Sequence, residues 1–277
     1  IRWPFKNAAE QPAVCRNKRR HYCAPEEPPE SESSENETAL LWRGRRGRRE
    51  LCLIEYLNGK MSNEEIIQQT AAYVKLELAN AEGGHDWWHL YRVWKTAKQI
   101  LAKEACDPLT VELAALLHDI ADSKFNGGDE TIGPRKAEQF LQSINISADV
   151  TTHVVNIIKN MSFKSSHFEQ SWTSKELMVV QDADRLDAIG AIGIARAFNY
   201  GGFKNRALYD PNIKPDTNMT KEQYKNSTTP TINHFYEKLL LLKDKMNTET
   251  GKAMAQKRHG FMVEYLEQFY REWEGEV

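Results

Sequence analysis

The chain has 277 residues, 37 basic and 39 acidic side chains and a formal charge of −2. It is long enough to bury one substantial core, and it carries no electrostatic footprint for nucleic acid or an anionic membrane. Its four cysteines, Cys15, Cys23, Cys52 and Cys106, form no Cys-x-x-Cys pair, which argues against a zinc ribbon and a disulfide framework and fits a reducing compartment. With no run of about 18 apolar residues and no basic-then-apolar leader, the expectation is a cytoplasmic protein that does not span a membrane.

Residues 1–60 differ from the remainder. They hold five of the ten prolines, an acidic Ser-rich run over 26–37 and a basic run, Arg43-Gly44-Arg45-Arg46-Gly47-Arg48-Arg49. No amphipathic period crosses them, so a disordered tail is expected, with one folded domain over 61–277. The basic run reads either as a nucleic-acid or targeting patch or as a solvated charge run. A further alternative is that translation begins at Met61 and the preceding residues are upstream sequence.

Ser62 and Glu65 form a capping box before Ile66, Ile67, Ala71, Val74 and Leu78, which predicts a helix of about five turns ending at Gly83-Gly84. Asp86 can cap the next helix, whose inward row is His89, Val93, Ala97 and Ile100. His85 lies one turn earlier on a similar face, nearer solvent. Asp107-Pro108 supplies an N-cap and an N1 proline for a helix lined by Leu109, Leu113, Leu116, Leu117 and Ile120. That helix finishes on His118-Asp119. A polar loop follows, holding Asp122, Lys124, Asp129 and Glu130, and helices are expected at 134–144 and 148–161. A second loop carries Lys164 and His167. Ser174 can cap a helix over 177–198 in which Asp182, Asp184 and Asp187 interrupt Val, Ala, Ile and Leu. An extended polar loop over 201–229, with a short helix near 220–225, precedes two last helices at about 231–246 and 250–274. The final one presents Met254, Phe261, Met262, Tyr265, Leu266, Phe269 and Trp273 as its core stripe. No alternating strand and no internal repeat is evident, so the fold expected is all-α, a single multi-helix bundle.

Each chemical signal has a bland counterpart. His89 reads as a satisfied core histidine or as a metal ligand. At a helix C-terminus the dipole favours His118 but not Asp119, while both side chains can converge there on one ion. The three aspartates are hardest to explain as a polar face, because an unpaired buried carboxylate costs several kcal/mol and so implies a cation. Arg185 can neutralise one of them and not three.

The pattern His89…His118-Asp119…Asp184 resembles the HD-domain metal-dependent phosphohydrolase superfamily. His89-Leu90-Tyr91-Arg92-Val93 is similar to its first motif and Ala183-Asp184-Arg185-Leu186 to its last. More narrowly, Gly84-His85-Asp86-Trp87-Trp88-His89, His118-Asp119-Ile120-Ala121-Asp122-x-Lys124 and the stretch from Gln181 to Gly190 resemble the small YpgQ/YedJ-type branch. So do His234-Phe235-Tyr236-Glu237-Lys238-Leu239 and Ala255-x-x-Arg258. The resemblance covers roughly residues 62–275 and omits 1–60. It implies one divalent metal held by His89, His118, Asp119 and Asp184, with Mn²⁺ expected and Mg²⁺, Fe²⁺ or Ni²⁺ as alternatives. Asp184 can exchange roles with Asp187, one turn on, and His85 is the rival of His89.

The activity implied is hydrolysis of a nucleoside triphosphate to monophosphate and pyrophosphate. Asp119, Asp122 and Lys124 are the candidate catalytic residues. Lys124, Lys164, Arg185 and Asp187 are the candidates for contact with the small-molecule nucleotide, the lysines reading equally as ordinary exposed side chains. Glu130 is a further candidate for orienting water. An HD-type phosphomonoesterase or phosphodiesterase is the first alternative, and a non-catalytic nucleotide-binding helical module the second. An oligomer is compatible with either.

Overall fold

The computed structural model describes residues 61–79, 86–121, 129–161, 172–220, 223 and 227–277, all within one unit, Lys60–Val277. The expected tail over 1–60 lies outside the described residues. Among those described the secondary structure is helical, with no strand, so the all-α expectation holds. No helix among them is long and apolar enough to cross a membrane.

The first helix, α1, spans Asn63–Glu77 and starts at the expected capping box: Ser62 N–H donates to Glu65 Oε2 at 2.8 Å, and Glu65 N–H donates back to Ser62 Oγ at 3.3 Å. Helix α2 follows over Trp87–Leu101. Its N-cap carboxylate, Asp86, accepts from His89 N–H at 3.0 Å, and His89, Val93, Ala97 and Ile100 are all buried as the inward row predicts. Helix α3, Pro108–Leu117, is capped by Asp107 and built from strong helix formers buried on every side. The short connection 102–107 turns it antiparallel to α2, so the end of α3 lies beside the start of α2. Helices α4, Ile132–Ser143, and α5, Ala148–Asn160, pack as a pair, α5 lying on the flank of α3.

Helix α6, Lys175–Asp187, is buried against both α2 and α3, so the three helices meet pairwise. The sequence predicts one helix over 177–198, whereas two are found. The chain breaks after Asp187, takes φ +78° at Gly190, and restarts as α7 over Gly190–Phe203. The last expected pair is also modified. Over 231–246 the α-helical part, α8, covers Thr231–Glu237, and a 3₁₀ helix runs over Leu239–Lys245 after a break at Lys238. Finally α9, Glu249–Trp273, lies on α6 and α7. Its expected core stripe is narrower than seven residues: Met262 and Leu266 are buried, but Phe261 and Trp273 are nearly half exposed, because the stripe drifts around a helix of this length. The short helix expected near 220–225 falls mostly outside the described residues.

Candidate metal centre

The junction of α2, α3 and α6 brings two imidazoles and two carboxylates together. His89 stands in the first turn of α2, His118 is the C-cap of α3, Asp119 follows it, and Asp184 lies near the end of α6. His118 and Asp119 leave the end of α3 together, His118 still with helical backbone angles (φ −61°, ψ −29°). One ligand atom each from His89, His118 and Asp119 lies within 4.8 Å of the others. Asp184 Oδ1 is 3.5 Å from His89 Nε2 and 3.8 Å from His118 Nε2. These separations are long for hydrogen bonds. They suit a shared ion, since two ligands each about 2.1 Å from one metal sit about 3 Å apart when cis and about 4.2 Å when trans.

The tautomers point the same way. His118 Nδ1 donates to Ala115 O at 3.0 Å, which leaves Nε2 as a lone pair. His89 Nδ1 donates to Asp187 Oδ2 at 2.7 Å and likewise turns Nε2 toward Asp184. A ring nitrogen held in this manner by a carboxylate or carbonyl is the ordinary way a metal-binding histidine is oriented.

The three aspartates of α6 are sorted by their partners. Asp182, fully buried, accepts from the backbone N–H of Asn247 and Thr248 and from the Thr248 hydroxyl, each at 2.8 Å, so it ties α6 to the start of α9. Burial raises its carboxyl above the ordinary range, against the opposing pull of those hydrogen bonds and of Arg185. The reading that every aspartate within this helix implies a cation is therefore corrected for Asp182. Asp187, with its side chain 3% exposed, takes Nε of Arg92 at 2.7 Å, Nη2 of Arg92 at 3.0 Å and Nη1 of Arg196 at 2.6 Å, besides His89. Burial alone would raise this carboxyl, but the bonds from His89 and Arg92 and the Arg196 charge outweigh it and hold the group well below the usual carboxylate range. Asp184 alone keeps a substantially exposed side chain, 39%, facing the two imidazoles.

Arg185 is engaged elsewhere: its Nη1 donates to Lys245 O at 2.5 Å and lies 3.6 Å from Asp182 Oδ1. Asp122, Lys124, Lys164 and the rival ligand His85 lie outside the described residues. Two participants were not singled out from the sequence as site residues. Arg92 was noted only as part of a motif. Arg196 is the one charged residue in the apolar α7, and that isolation is the signal that marks it in the sequence.

The chain belongs to the HD domain family, whose model matches residues 87–189, from the first residue of α2 to just past the end of α6. Fold and family are those of metal-dependent phosphohydrolases, and HD domains bind divalent metals. Bacillus subtilis YpgQ is 36% identical over 211 residues, which is 75% of this chain and 94% of that protein. An HD-superfamily hydrolase from Bacillus thuringiensis superposes with a TM-score of 0.62 at 42% identity, covering 77% of this chain and 99% of that one. The crystal structure of B. subtilis YpgQ in complex with ADP gives a TM-score of 0.60 at 36% identity, covering 76% and 97%.

Proposed function

We propose that the protein hydrolyses nucleoside triphosphates to nucleoside monophosphate and pyrophosphate, using one divalent ion, Mn²⁺ in preference to Mg²⁺, Fe²⁺ or Ni²⁺, in the cytoplasm. The observation that carries this reading is the convergence of His89 Nε2 and His118 Nε2 on Asp184 Oδ1, at 3.5 and 3.8 Å, with Asp119 alongside. Such a mixed imidazole and carboxylate set suits a borderline or hard ion with positions left open. Held by these residues, such an ion would supply a nucleophile at neutral pH and polarise the phosphorus under attack. The relative crystallised with ADP supports a nucleotide as the small-molecule partner.

In this proposal His89, His118, Asp119 and Asp184 hold the metal, and Asp187 fixes the His89 ring. Asp119 and Asp122 orient the attacking water. Lys124 and Lys164 take the β and γ phosphates and offset their charge, which leaves the α phosphorus at the metal. Arg185, given its bonds to Lys245 and Asp182, would serve the nucleotide only after giving those up. Incubation of the full chain with each nucleoside triphosphate, with and without Mn²⁺, tests the reading. Monophosphate and pyrophosphate are expected in equal amounts with no diphosphate accumulating. Turnover restricted to monophosphates or cyclic nucleotides would replace it with the phosphomonoesterase or phosphodiesterase assignment.

A further inference from the structure

Asp184 and Asp187 both belong to the last turn of α6, and α7 starts at Gly190. The last carbonyls of a helix lack donors within it and carry the negative end of its dipole. Two of these carbonyls are met by guanidinium groups from other helices. Arg196 Nη1, from α7, donates to Asp187 O at 3.3 Å, and Arg258 Nη1, from α9, donates to Leu186 O. Leu186 O also accepts from Ile189 N–H at 3.2 Å, the tight turn that closes α6.

Arg258 holds the same break in a second way. Gly190 has φ +78°, and a Cβ placed on it would lie 3.1 Å from Arg258 Cβ and Cγ and 3.3 Å from Cδ. The aliphatic stem of Arg258 thus fills the space a side chain would take, against a backbone conformation that favours glycine. Arg258 is half-buried; burial disfavours its charge, and the Asp187 carboxylate supports it. Its hydrogen bond goes to the backbone of the residue before Asp187, while its charge acts on Asp187 itself. Asp187 Oδ2 in turn takes His89 Nδ1 at 2.7 Å, the contact that turns Nε2 toward Asp184.

We infer that Arg258 is a positioning residue for the metal centre: from α9 it clamps the break between α6 and α7, so that Asp187 stays on His89 Nδ1 and the ring presents Nε2 to the ion. This rests on the proposed metal centre, so one of its tests is made without metal. In the metal-free full chain labelled with ¹⁵N-histidine, at alkaline pH, the imidazole correlations of His89 report which ring nitrogen carries the proton; their loss in His89→Gln assigns them. Wild type should show the Nδ1–H tautomer. Arg258→Met keeps a stem against Gly190 but removes the donors and the charge, and should give a mixture of tautomers. Arg258→Lys, which keeps a donor and the charge, should restore Nδ1–H.

Calorimetric titration with Mn²⁺ reads the consequence. Arg258→Met should weaken binding about tenfold, as loss of a supporting contact does, and Arg258→Lys should stay within a few-fold of wild type. In an Asp187→Asn background Arg258→Met should cost no more than about twofold further, because both changes act through one carboxylate. An unchanged tautomer in Arg258→Met, equal losses in the methionine and lysine variants, additive losses in the double variant, or loss of the fold in both single variants would each overturn the inference. Failure of wild type to bind Mn²⁺ would instead remove the metal reading and leave the tautomer to decide whether Arg258 positions His89.

Discussion

Asp184 and Asp187 are chemically identical, sit three residues apart on one helix, and are given opposite tasks by their neighbours. Two arginines and a histidine enclose Asp187, and the cost of desolvating it is offset only while they remain. Asp187→Asn keeps the shape but removes the charge that holds His89 Nδ1. Loss of such a supporting carboxylate is expected to lower metal affinity about 10–100-fold while the helical content is retained. Metal titration of the folded variant checks this, and unchanged affinity would exclude the supporting role. His234 offers a test of a different kind. Burial, helped by the charges of Lys238 and Arg206, pushes its imidazole down to about 3, whereas in the unfolded chain it titrates near ~6.5. Between these values the unfolded state binds more protons, so stability rises with pH. The contribution is complete above ~6.5 and is lost as pH falls toward 3, at most roughly 5 kcal/mol. His234→Gln should flatten the dependence of unfolding free energy on pH between 7 and 4. Parallel curves for variant and wild type would refute the assignment.

At the scale of elements, the placement of α7 depends on backbone contact more than on side chains. A Cβ on Gly193 would lie 2.2 Å from Ala188 O, an atom of the main chain that cannot swing aside. Gly193→Ala should therefore push α7 from the end of α6 and carry Arg196 off Asp187. We expect a stability loss of several kcal/mol, in the range of other overpacked or strained sites, and weaker metal binding in what remains folded. A melting temperature within a degree or two of wild type would contradict the contact. The break that makes this packing was not legible in the sequence. Apolar periodicity runs on through Ala188, Ile189 and Ile194, and nothing local distinguishes Gly190 with φ +78° from a tolerated glycine inside a helix. The 3₁₀ helix over Leu239–Lys245 is hidden for the same reason, since four consecutive leucines satisfy an α-helical stripe equally well. By contrast the starts of α1, α2, α3 and α6 were legible, because Ser62, Asp86, Asp107 and Ser174 mark them with capping side chains.

For the whole molecule, the candidate ligands are conspicuous in the sequence and the contacts that support them are not. His89, His118, Asp119 and Asp184 are conspicuous where they interrupt apolar helices. The partners of Asp182 lie 65 and 66 residues away, at Asn247 and Thr248, and no local pattern connects them. A metal held by the proposed ligands would tie α2, α3 and α6 together. An ion present at about 100 times its dissociation constant adds roughly 2.7 kcal/mol to stability, and chelation should lower the melting temperature accordingly. Since the metal junction and its supports lie within Lys60–Val277, a chain beginning at Met61 should melt and turn over as the full chain does. A large loss in either would show that residues 1–60 contribute. The central claim is that water attacks the α phosphorus of a nucleoside triphosphate at the His89, His118, Asp119 and Asp184 centre. Hydrolysis in ¹⁸O-water tests it most directly: the label should enter the nucleoside monophosphate and leave pyrophosphate unlabelled, whereas labelled orthophosphate released from the triphosphate would contradict the account.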